Sequence, residues 1–212
     1  MKRSVKNGSK RKESRDELAR NRRPVLVRLR RDRPHLGVIA LETLSRAEIE
    51  NFVRHSNRIE GEPTEPGHPL YDDHLAVALY IAKGIGFGPE QIHARLMASQ
   101  PHVFPGELRQ CRVSVDGKEK MSPLAVRPAM RQLSRDLLIG TVRTDAEAWC
   151  WDRHHRFEHI HPFTDGNGRT GRLLLNMLRL RYGLPWLTVN YEDRFAYYRS
   201  IQEWEHNREA AG

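Results

Sequence analysis

The 212-residue sequence contains only two cysteines, Cys111 and Cys150, and no long apolar run. Two cysteines are too few for a disulfide framework, and neither has Cys or His partners at zinc-finger spacing. A membrane-spanning helix needs about 18 consecutive apolar residues, and the N-terminus lacks the apolar segment of a secretory signal peptide. We therefore expect a cytoplasmic protein with free thiols and no membrane span.

Positive charge is concentrated at the N-terminus. The net charge is +9, but residues 1–35 hold 14 Lys and Arg against 4 Asp and Glu, so the remainder is nearly neutral. A segment with few apolar residues and strong self-repulsion favours disorder. We predict a basic, disordered tail over 1–35, which either binds nucleic acid, an acidic partner or a membrane surface, or only aids solubility. A non-enzymatic nucleic-acid-binding module that acts through this tail is one alternative function.

Beyond the tail, apolar residues recur at helical spacing almost throughout, which predicts an all-α domain. A first helix is predicted over about 46–60, because Ser45 and Glu48 form a capping-box pattern and Gly61 follows as a stop signal. Further helices are predicted over about 71–83, 89–99, 122–138, 145–159, 168–182 and 191–206.

Residues 109–121 are the exception to the helical pattern. Val113 and Val115 alternate with polar residues, and Asp116-Gly117 is a two-residue turn signal. This pattern predicts a short β-hairpin. An isolated hairpin is only marginally stable, so it must pack against the helices.

The segment HPFTDGNGRTGR at 161–172 has the features of an anion-binding site. A helix that opens at Gly168 would present free N–H groups, and Gly166 and Gly168 let the backbone approach a phosphate closely. Arg169 and Arg172 are three residues apart, so they share a helix face and can both reach a phosphate chain. A Walker-type phosphate loop is excluded, because its Gly-Lys-Ser/Thr ending is absent.

The same segment carries two further groups that phosphate chemistry uses. Asp165 is the hard oxygen ligand that a phosphate-bound Mg²⁺ prefers. His161 is the group in the segment that can take up a proton at neutral pH. The segment therefore predicts a site for metal-assisted chemistry on a phosphate.

These residues, His161-Pro162-Phe163-x-Asp165-Gly166-Asn167-Gly168-Arg169-x-x-Arg172, resemble the complete signature of the Fic family. The resemblance implies a helical bundle with a β-hairpin flap, and transfer of AMP from Mg²⁺-bound ATP to a Ser, Thr or Tyr hydroxyl of a target protein. The flap at 109–121 would hold the target by strand addition. Gly168 stands where the family's phosphotransferases usually carry Lys, which favours AMP transfer.

The resemblance also implies roles for the individual residues of the signature. His161 would be the general base, Phe163 the anchor of the loop in the core, and Asp165 the Mg²⁺ ligand. The α- and β-phosphates would lie in a cradle formed by Gly166, Asn167 and Gly168. Arg169 would lie near the β-phosphate and Arg172 near the γ-phosphate.

A second motif, Ser56-x-x-x-Glu60-Gly61, resembles the inhibitory motif of Fic proteins. A carboxylate in the last turn of a helix is disfavoured by the helix dipole unless a cation meets it. The resemblance implies that Glu60 pairs with Arg172 and prevents the γ-phosphate from binding in its productive position. We therefore predict an inhibitory segment over 36–62 and a Fic core domain over 63–208.

Several interpretations stay open at this stage. The same site could remove AMP from a target instead of adding it, with Glu60 positioning water. Tyr197 and Tyr198 could line an adenine pocket or belong to the core. A further four residues, His154, His155, His159 and His161, resemble a metal cluster but lack a completing ligand, so helix surface and loop support are favoured. The sequence does not indicate the oligomeric state or the target.

Overall fold

The computed structural model describes residues 27–28, 44–138 and 145–210 of the chain. These ranges contain seven α-helices and four two-residue strands, which confirms the predicted all-α class with a short hairpin. The helices are α1 (Arg46–Ile59), α2 (Pro69–Ala82), α3 (Pro89–Leu96), α4 (Pro123–Leu138), α5 (Ala146–Ile160), α6 (Asn167–Arg181) and α7 (Arg194–Glu209). The strands are β1 (Val27–Arg28), β2 (Ile85–Gly86), β3 (Ser114–Val115) and β4 (Lys118–Glu119).

The predicted helices are all present, and their ends differ by a few residues. Helix α3 stops at Leu96, before the predicted end, and a 3₁₀ turn follows at Pro101–Val103. The helix predicted over 191–206 begins as a second 3₁₀ turn, Tyr191–Asp193, and continues as α7. Both differences lie at helix ends, where local turns replace the regular pattern.

Helix α6 is the central element of the fold, and α1, α2, α3 and α5 all pack against it. Twelve of its fifteen residues are buried, including Arg169, Arg172 and Arg179. Buried charges are costly unless they are paired and hydrogen-bonded. The arginines of α6 must therefore find their partners inside the protein.

Helix α1 packs against α6 and is stabilised by an N-terminal cap and by an apolar face. Ser45 and Glu48 form the predicted capping box, with 2.8 Å between the Ser45 N–H and Oε2 of Glu48. Three apolar residues, Ile49, Phe52 and Val53, face the core and are almost completely buried. This face holds α1 against the bundle and brings its C-terminal residues close to the first turn of α6.

The predicted hairpin is formed by β3 and β4, in which Ser114 pairs with Glu119 and Val115 with Lys118. Asp116 and Gly117 both have positive φ angles, as the predicted two-residue turn requires. The four strand residues are exposed. The hairpin therefore stands at the surface beside the helices.

Of the predicted basic tail, the structure describes only Val27–Arg28. These residues form β1 and pair antiparallel with β2, so that Val27 lies opposite Gly86 and Arg28 opposite Ile85. The other tail residues, and with them the prediction of disorder, lie outside the described ranges.

Among the residues that the structure describes, no helix is both long and apolar enough to cross a bilayer. The longest helices, α4 and α7, have 16 residues each. A spanning helix needs about 20 predominantly apolar residues.

Candidate active site

The loop 162–166 joins α5 to α6 and is fixed by buried contacts. His161, the C-terminal cap of α5, has a left-handed backbone with a φ of 49°, which is uncommon for a residue other than glycine. The Phe163 ring is fully buried and stacks on His93 with 3.7 Å between ring centroids. The Asn167 side chain accepts a hydrogen bond from the Phe163 N–H and donates one to its carbonyl oxygen, both at 2.9 Å. The loop is thus held from inside the protein.

The first turn of α6 presents backbone N–H groups that the helix itself does not use. The N–H of Thr170 bonds the Gly166 carbonyl at 3.0 Å and is the first to find an acceptor in the helix. The preceding N–H groups, of Asn167, Gly168 and Arg169, carry the positive end of the helix dipole. Because the Asn167 side chain braces the loop, only its backbone N–H is left for an anion.

The His161 side chain lies at the edge of a surface cleft that Gly168 and Arg172 also line. Burial lowers the pKa of its imidazole to about 4, and the positive charge of Lys120 acts in the same direction. An imidazole with this pKa is neutral at pH 7. It can therefore accept a proton, as a general base must.

Asp165 has a fixed backbone and a carboxylate that faces solvent. Its carbonyl oxygen is 3.0 Å from Nε2 of His93, whose Nδ1 accepts a hydrogen bond from the Gly106 N–H at 2.8 Å. This second bond leaves the ring proton on Nε2. The Asp165 side chain is 54% exposed, and its Oδ1 accepts a hydrogen bond from the Gly166 N–H at 2.6 Å. The carboxylate is therefore open to a ligand.

The guanidinium of Arg172 is almost completely buried and is held by the end of α1. Its Nη2 donates to Oε1 of Glu60 at 2.7 Å and to the Ser56 carbonyl oxygen at 2.9 Å, and its Nε donates to the Ser56 hydroxyl at 2.9 Å. Burial alone would lower the pKa of Arg172, but the charge and hydrogen bond of Glu60, together with the charges of Tyr197 and Glu158, outweigh it and the pKa is raised. The ion pair expected between Glu60 and Arg172 is present, and it supplies the cation that the helix C-terminus requires.

Gly168 lies directly beneath this ion pair. A Cβ atom at this position would overlap Oε1 of Glu60 and come within 3.1 Å of Nη1 of Arg172. A larger residue at 168 would therefore displace the Glu60 carboxylate from its ion pair with Arg172.

A second ion pair, which was not predicted from the sequence, links the segment after α1 to α6. Nη2 of Arg169 is 3.0 Å from Oε1 of Glu62 and 3.9 Å from Oδ1 of Asp165. The Arg169 side chain is 1% exposed, and its Nε and Nη1 have no hydrogen-bond partner among the described residues. The signal was the second acid in Glu60-Gly61-Glu62. Both arginines of the anion-binding segment are therefore paired with glutamates.

Tyr197 and Tyr198 of α7 both line the cleft. Tyr197 is buried, its hydroxyl lies 2.9 Å from Nε2 of His154, and its ring lies 5.8 Å from the Arg172 guanidinium. The Tyr198 hydroxyl donates to the Ile59 carbonyl oxygen at 3.3 Å. The two residues are thus part of the cleft wall as well as of the packing around α7.

The four histidines of 154–161 have different surroundings and do not converge. His154 uses both ring nitrogens, with Nδ1 at 3.0 Å from the Gly171 carbonyl oxygen. His155 lies 3.3 Å from the Ser200 hydroxyl, and His159 lies 3.4 Å from Oε1 of Glu205. Among the described residues, no group of three or more potential ligands is arranged to hold a metal.

The hairpin is anchored beside His161 by a second residue that the sequence analysis missed, Arg109. Its buried guanidinium donates hydrogen bonds to backbone carbonyl oxygens at both ends of the hairpin and at the end of α5. The acceptors are His161 at 2.6 Å, Cys111 at 2.7 Å, Met121 at 2.5 Å and Ile160 at 3.3 Å. Two of its acceptors, in α5 and its cap, lie 51 and 52 residues away in the chain, so no local pattern indicated this role.

The hairpin is also attached to α7. Nζ of Lys120 lies 2.7 Å from Oε1 of Glu205, and both side chains are largely buried. Desolvation opposes the charge of Glu205, but hydrogen bonds from His159 and Lys120 hold its pKa at about 2. This ion pair closes one side of the cleft.

Fold and site together define a helical domain that presents a helix N-terminus, a buried arginine and a neutral histidine around one cleft. Residues 90–178 match the model of the Fic/DOC family. The match includes the whole 161–172 segment that carries the site.

Similar proteins include curated relatives and solved structures. The chain is 45% identical over 122 residues to protein adenylyltransferase Fic of Nematostella vectensis, and 35% identical over 118 residues to the protein of that name from Culex quinquefasciatus. These matches cover 55% and 53% of this chain but 27% and 23% of the relatives. The chain thus spans about a quarter of the length of these curated relatives.

Among solved structures, Fic-1 from C. elegans has a TM-score of 0.61 and 24% identity, with 78% of this chain and 57% of that chain covered. A Fic domain containing signaling protein from Bacteroides thetaiotaomicron has a TM-score of 0.59 and 20% identity, with 76% of each chain covered. At these identities the comparison establishes the fold.

Proposed function

We propose that the chain is a protein adenylyltransferase, which transfers AMP from ATP to a Ser, Thr or Tyr hydroxyl of a target protein. One observation carries the proposal: the imidazole of His161 and the N-terminus of α6 border the same cleft. The name of the curated relatives, protein adenylyltransferase, supplies the reaction class. Because the chain spans only a quarter of their length, the assignment rests on the site.

The reaction forms a bond between the target's hydroxyl oxygen and the α-phosphorus. It breaks the bond between that phosphorus and the oxygen bridging to the β-phosphate, so pyrophosphate leaves. His161 takes the hydroxyl proton as the new bond forms. The N–H groups of Asn167, Gly168 and Arg169 stabilise the negative charge on the phosphate oxygens.

Mg²⁺ is the metal that this site fits. Mg²⁺ is held by one or two carboxylates together with phosphate oxygens and water, and the exposed Asp165 carboxylate lies beside the open first turn of α6. When bound, the ion would neutralise charge on the phosphates. Asp165 would hold it, while His93 fixes the backbone of Asp165.

The arginines of α6 would bind the outer phosphates, Arg169 the β-phosphate and Arg172 the γ-phosphate. Each now binds a glutamate. Arg172 can form a full ion pair with only one anion at a time, and Glu60 is held on a fixed helix at high effective concentration. We therefore assign self-inhibition to Glu60, which would leave ATP bound with its phosphates misplaced.

The hairpin would hold the target segment. Its strands β3 and β4 are exposed, and a two-stranded ribbon has free edges that can pair with an extended chain. Lys120, in the same hairpin, lines the cleft together with His161. A segment added to this edge would bring its hydroxyl to the base.

Tyr197 and Tyr198 would line the adenine side of the cleft.

Two labels on ATP test the reaction class. The Glu60→Gly variant is incubated with a cell lysate and with ATP labelled on either the α- or the γ-phosphate. AMP transfer leaves the α-label on protein, whereas phosphate transfer leaves the γ-label. Retention of the γ-label alone, or of neither label, would contradict the proposal.

A further inference from the structure

A second acid, Glu158, lies inside the cleft and has no part in the reaction described above. It sits on α5, one helical turn before His161, and lines the cleft together with Arg172 and Glu60. Its side chain is largely buried, and its Oε1 has no hydrogen-bond partner among the described residues. An ionised carboxylate in this position would be costly unless a cation compensated it.

The fold makes room for this carboxyl group at one place on α6. A Cβ atom at Gly171 would overlap Oε1 of Glu158 and come within 3.1 Å of its Cδ. The carboxyl group therefore packs directly on the backbone of α6, one residue before Arg172. This position follows from the packing of α5 on α6.

The charges around Glu158 come from every element that borders it. The pKa of Glu158 is raised to about 7, and burial is the largest cause. The positive charge of Arg172 acts to lower this pKa, and the negative charge of Glu60 acts to raise it. Smaller effects come from Lys120 of the hairpin, which lowers the pKa, and Glu205 of α7, which raises it. The phenol of Tyr197 is a further titratable group on this side, and its own pKa is raised well above the usual value, chiefly by burial.

Arg172 thus has two carboxylates within its electrostatic reach but a full ion pair with only one. Glu60 lies 2.7 Å from Nη2, whereas Nη1 is buried without a hydrogen-bond partner among the described residues. While Glu60 neutralises the guanidinium, ionisation of Glu158 is little stabilised by Arg172. Once Glu60 leaves, Arg172 is a buried cation without its counter-ion. The ionised form of Glu158 then becomes favourable.

We propose that Glu158 is the reserve counter-ion of Arg172, protonated while another anion occupies the guanidinium and ionised when that anion leaves. Release of Glu60 then costs less, because Arg172 is not left as an uncompensated buried charge. If the γ-phosphate binds Arg172, as the proposed function requires, then ATP binding to the released enzyme is accompanied by partial proton uptake at Glu158.

Carboxyl ¹³C NMR of the full chain, labelled on glutamate, tests this proposal. The Glu158 resonance is assigned by its loss in Glu158→Gln, and its titration is followed in wild type and in Glu60→Gln. We expect a midpoint near 7 in wild type, as burial dictates. The midpoint should fall by at least about one pH unit in Glu60→Gln, a tenfold loss of proton affinity.

Glu62→Gln is the matched control, because Glu62 pairs with Arg169 instead of Arg172. Its Glu158 midpoint should stay at the wild-type value. An unchanged midpoint in Glu60→Gln, or a fall of equal size in both variants, would overturn the proposal.

Saturating Mg·ATP should raise the midpoint of Glu60→Gln again. If it does not, while the shift without nucleotide is present, the γ-phosphate does not bind Arg172 and the proposed function fails instead.

Discussion

At the scale of single residues, His161 shows how position determines chemistry. Its left-handed backbone ends α5 and turns the chain into the loop, and its carbonyl oxygen accepts a hydrogen bond from Arg109. Burial keeps the ring neutral at pH 7. The residue thus joins a structural role in the backbone to a proposed catalytic role in the side chain.

We expect His161→Ala to abolish AMP transfer while the protein stays folded, because the proposed base is removed without opening the core. The measurement is label transfer from ATP together with circular dichroism. His161→Asn is the matched control, since asparagine tolerates the left-handed backbone but is not a base at this pH. Transfer at the wild-type rate by either folded variant would contradict the assignment.

Gly168 gives a second test at this scale, independent of activity. In Gly168→Ala the added methyl group would overlap the Glu60 carboxylate, so we expect a loss of about 1 kcal/mol in the free energy of unfolding. In a Glu60→Gly background the same substitution should cost less, which a double-mutant cycle from denaturant unfolding measures. An equal cost in both backgrounds would show that the Cβ meets something other than Glu60.

At the scale of elements, the hairpin depends on contacts with the helices and not on its own four strand residues. Arg109 binds the backbone at its base, and the ion pair between Lys120 and Glu205 attaches it to α7. The low pKa of Glu205 means that this ion pair stabilises the fold above pH about 4.5 and that the contribution is lost as the pH falls toward 2.

We expect Glu205→Gln to lower the free energy of unfolding by about 2 kcal/mol at neutral pH. The difference from wild type should shrink below pH about 4.5 and vanish only below pH about 2, where Glu205 is protonated in both states of the wild type. Urea unfolding at a series of pH values measures it. A difference that did not vary with pH would show that the ion pair is not its cause.

The elements also show what the sequence could predict. The helices followed from periodicity and capping, and the chemistry of 161–172 from residues adjacent in the chain. The pair of Arg169 with Glu62 and the position of Glu158 depend on how α1 and α5 pack against α6. Such contacts join distant parts of the chain, and no local pattern specifies them. The phosphate-binding role of Asn167 stays a prediction for its backbone N–H, whereas the hydrogen bonds between its side chain and Phe163 could not be read from the sequence.

At the scale of the whole molecule, the charge is divided between a basic N-terminus and a nearly neutral remainder. We expect that deletion of residues 1–35 lowers affinity for DNA or RNA and removes its salt dependence, while stability and self-modification change little. The measurement is a binding titration at several salt concentrations. Deletion of 1–26, which retains β1, is the matched control for the loss of that strand. A deletion that unfolds the domain would show the N-terminus to be structural.

In the proposed mechanism of self-inhibition, Glu60 competes with the γ-phosphate for Arg172. Transfer requires the α-phosphorus in line with the incoming hydroxyl, so a small misplacement of the phosphates costs more in rate than in affinity. An enzyme that instead removes AMP would need Glu60 to position water. The two accounts predict opposite effects of removing this carboxylate.

The most direct measurement is therefore the rate of AMP transfer, including self-modification, in wild type, Glu60→Gly and the double variant Glu60→Gly, Arg172→Ala. We predict that Glu60→Gly raises the rate at least about tenfold, equivalent to about 1.4 kcal/mol at the transition state, and that the double variant loses this gain. An unchanged rate in Glu60→Gly, or a lower rate where wild type is already active, would contradict self-inhibition by Glu60.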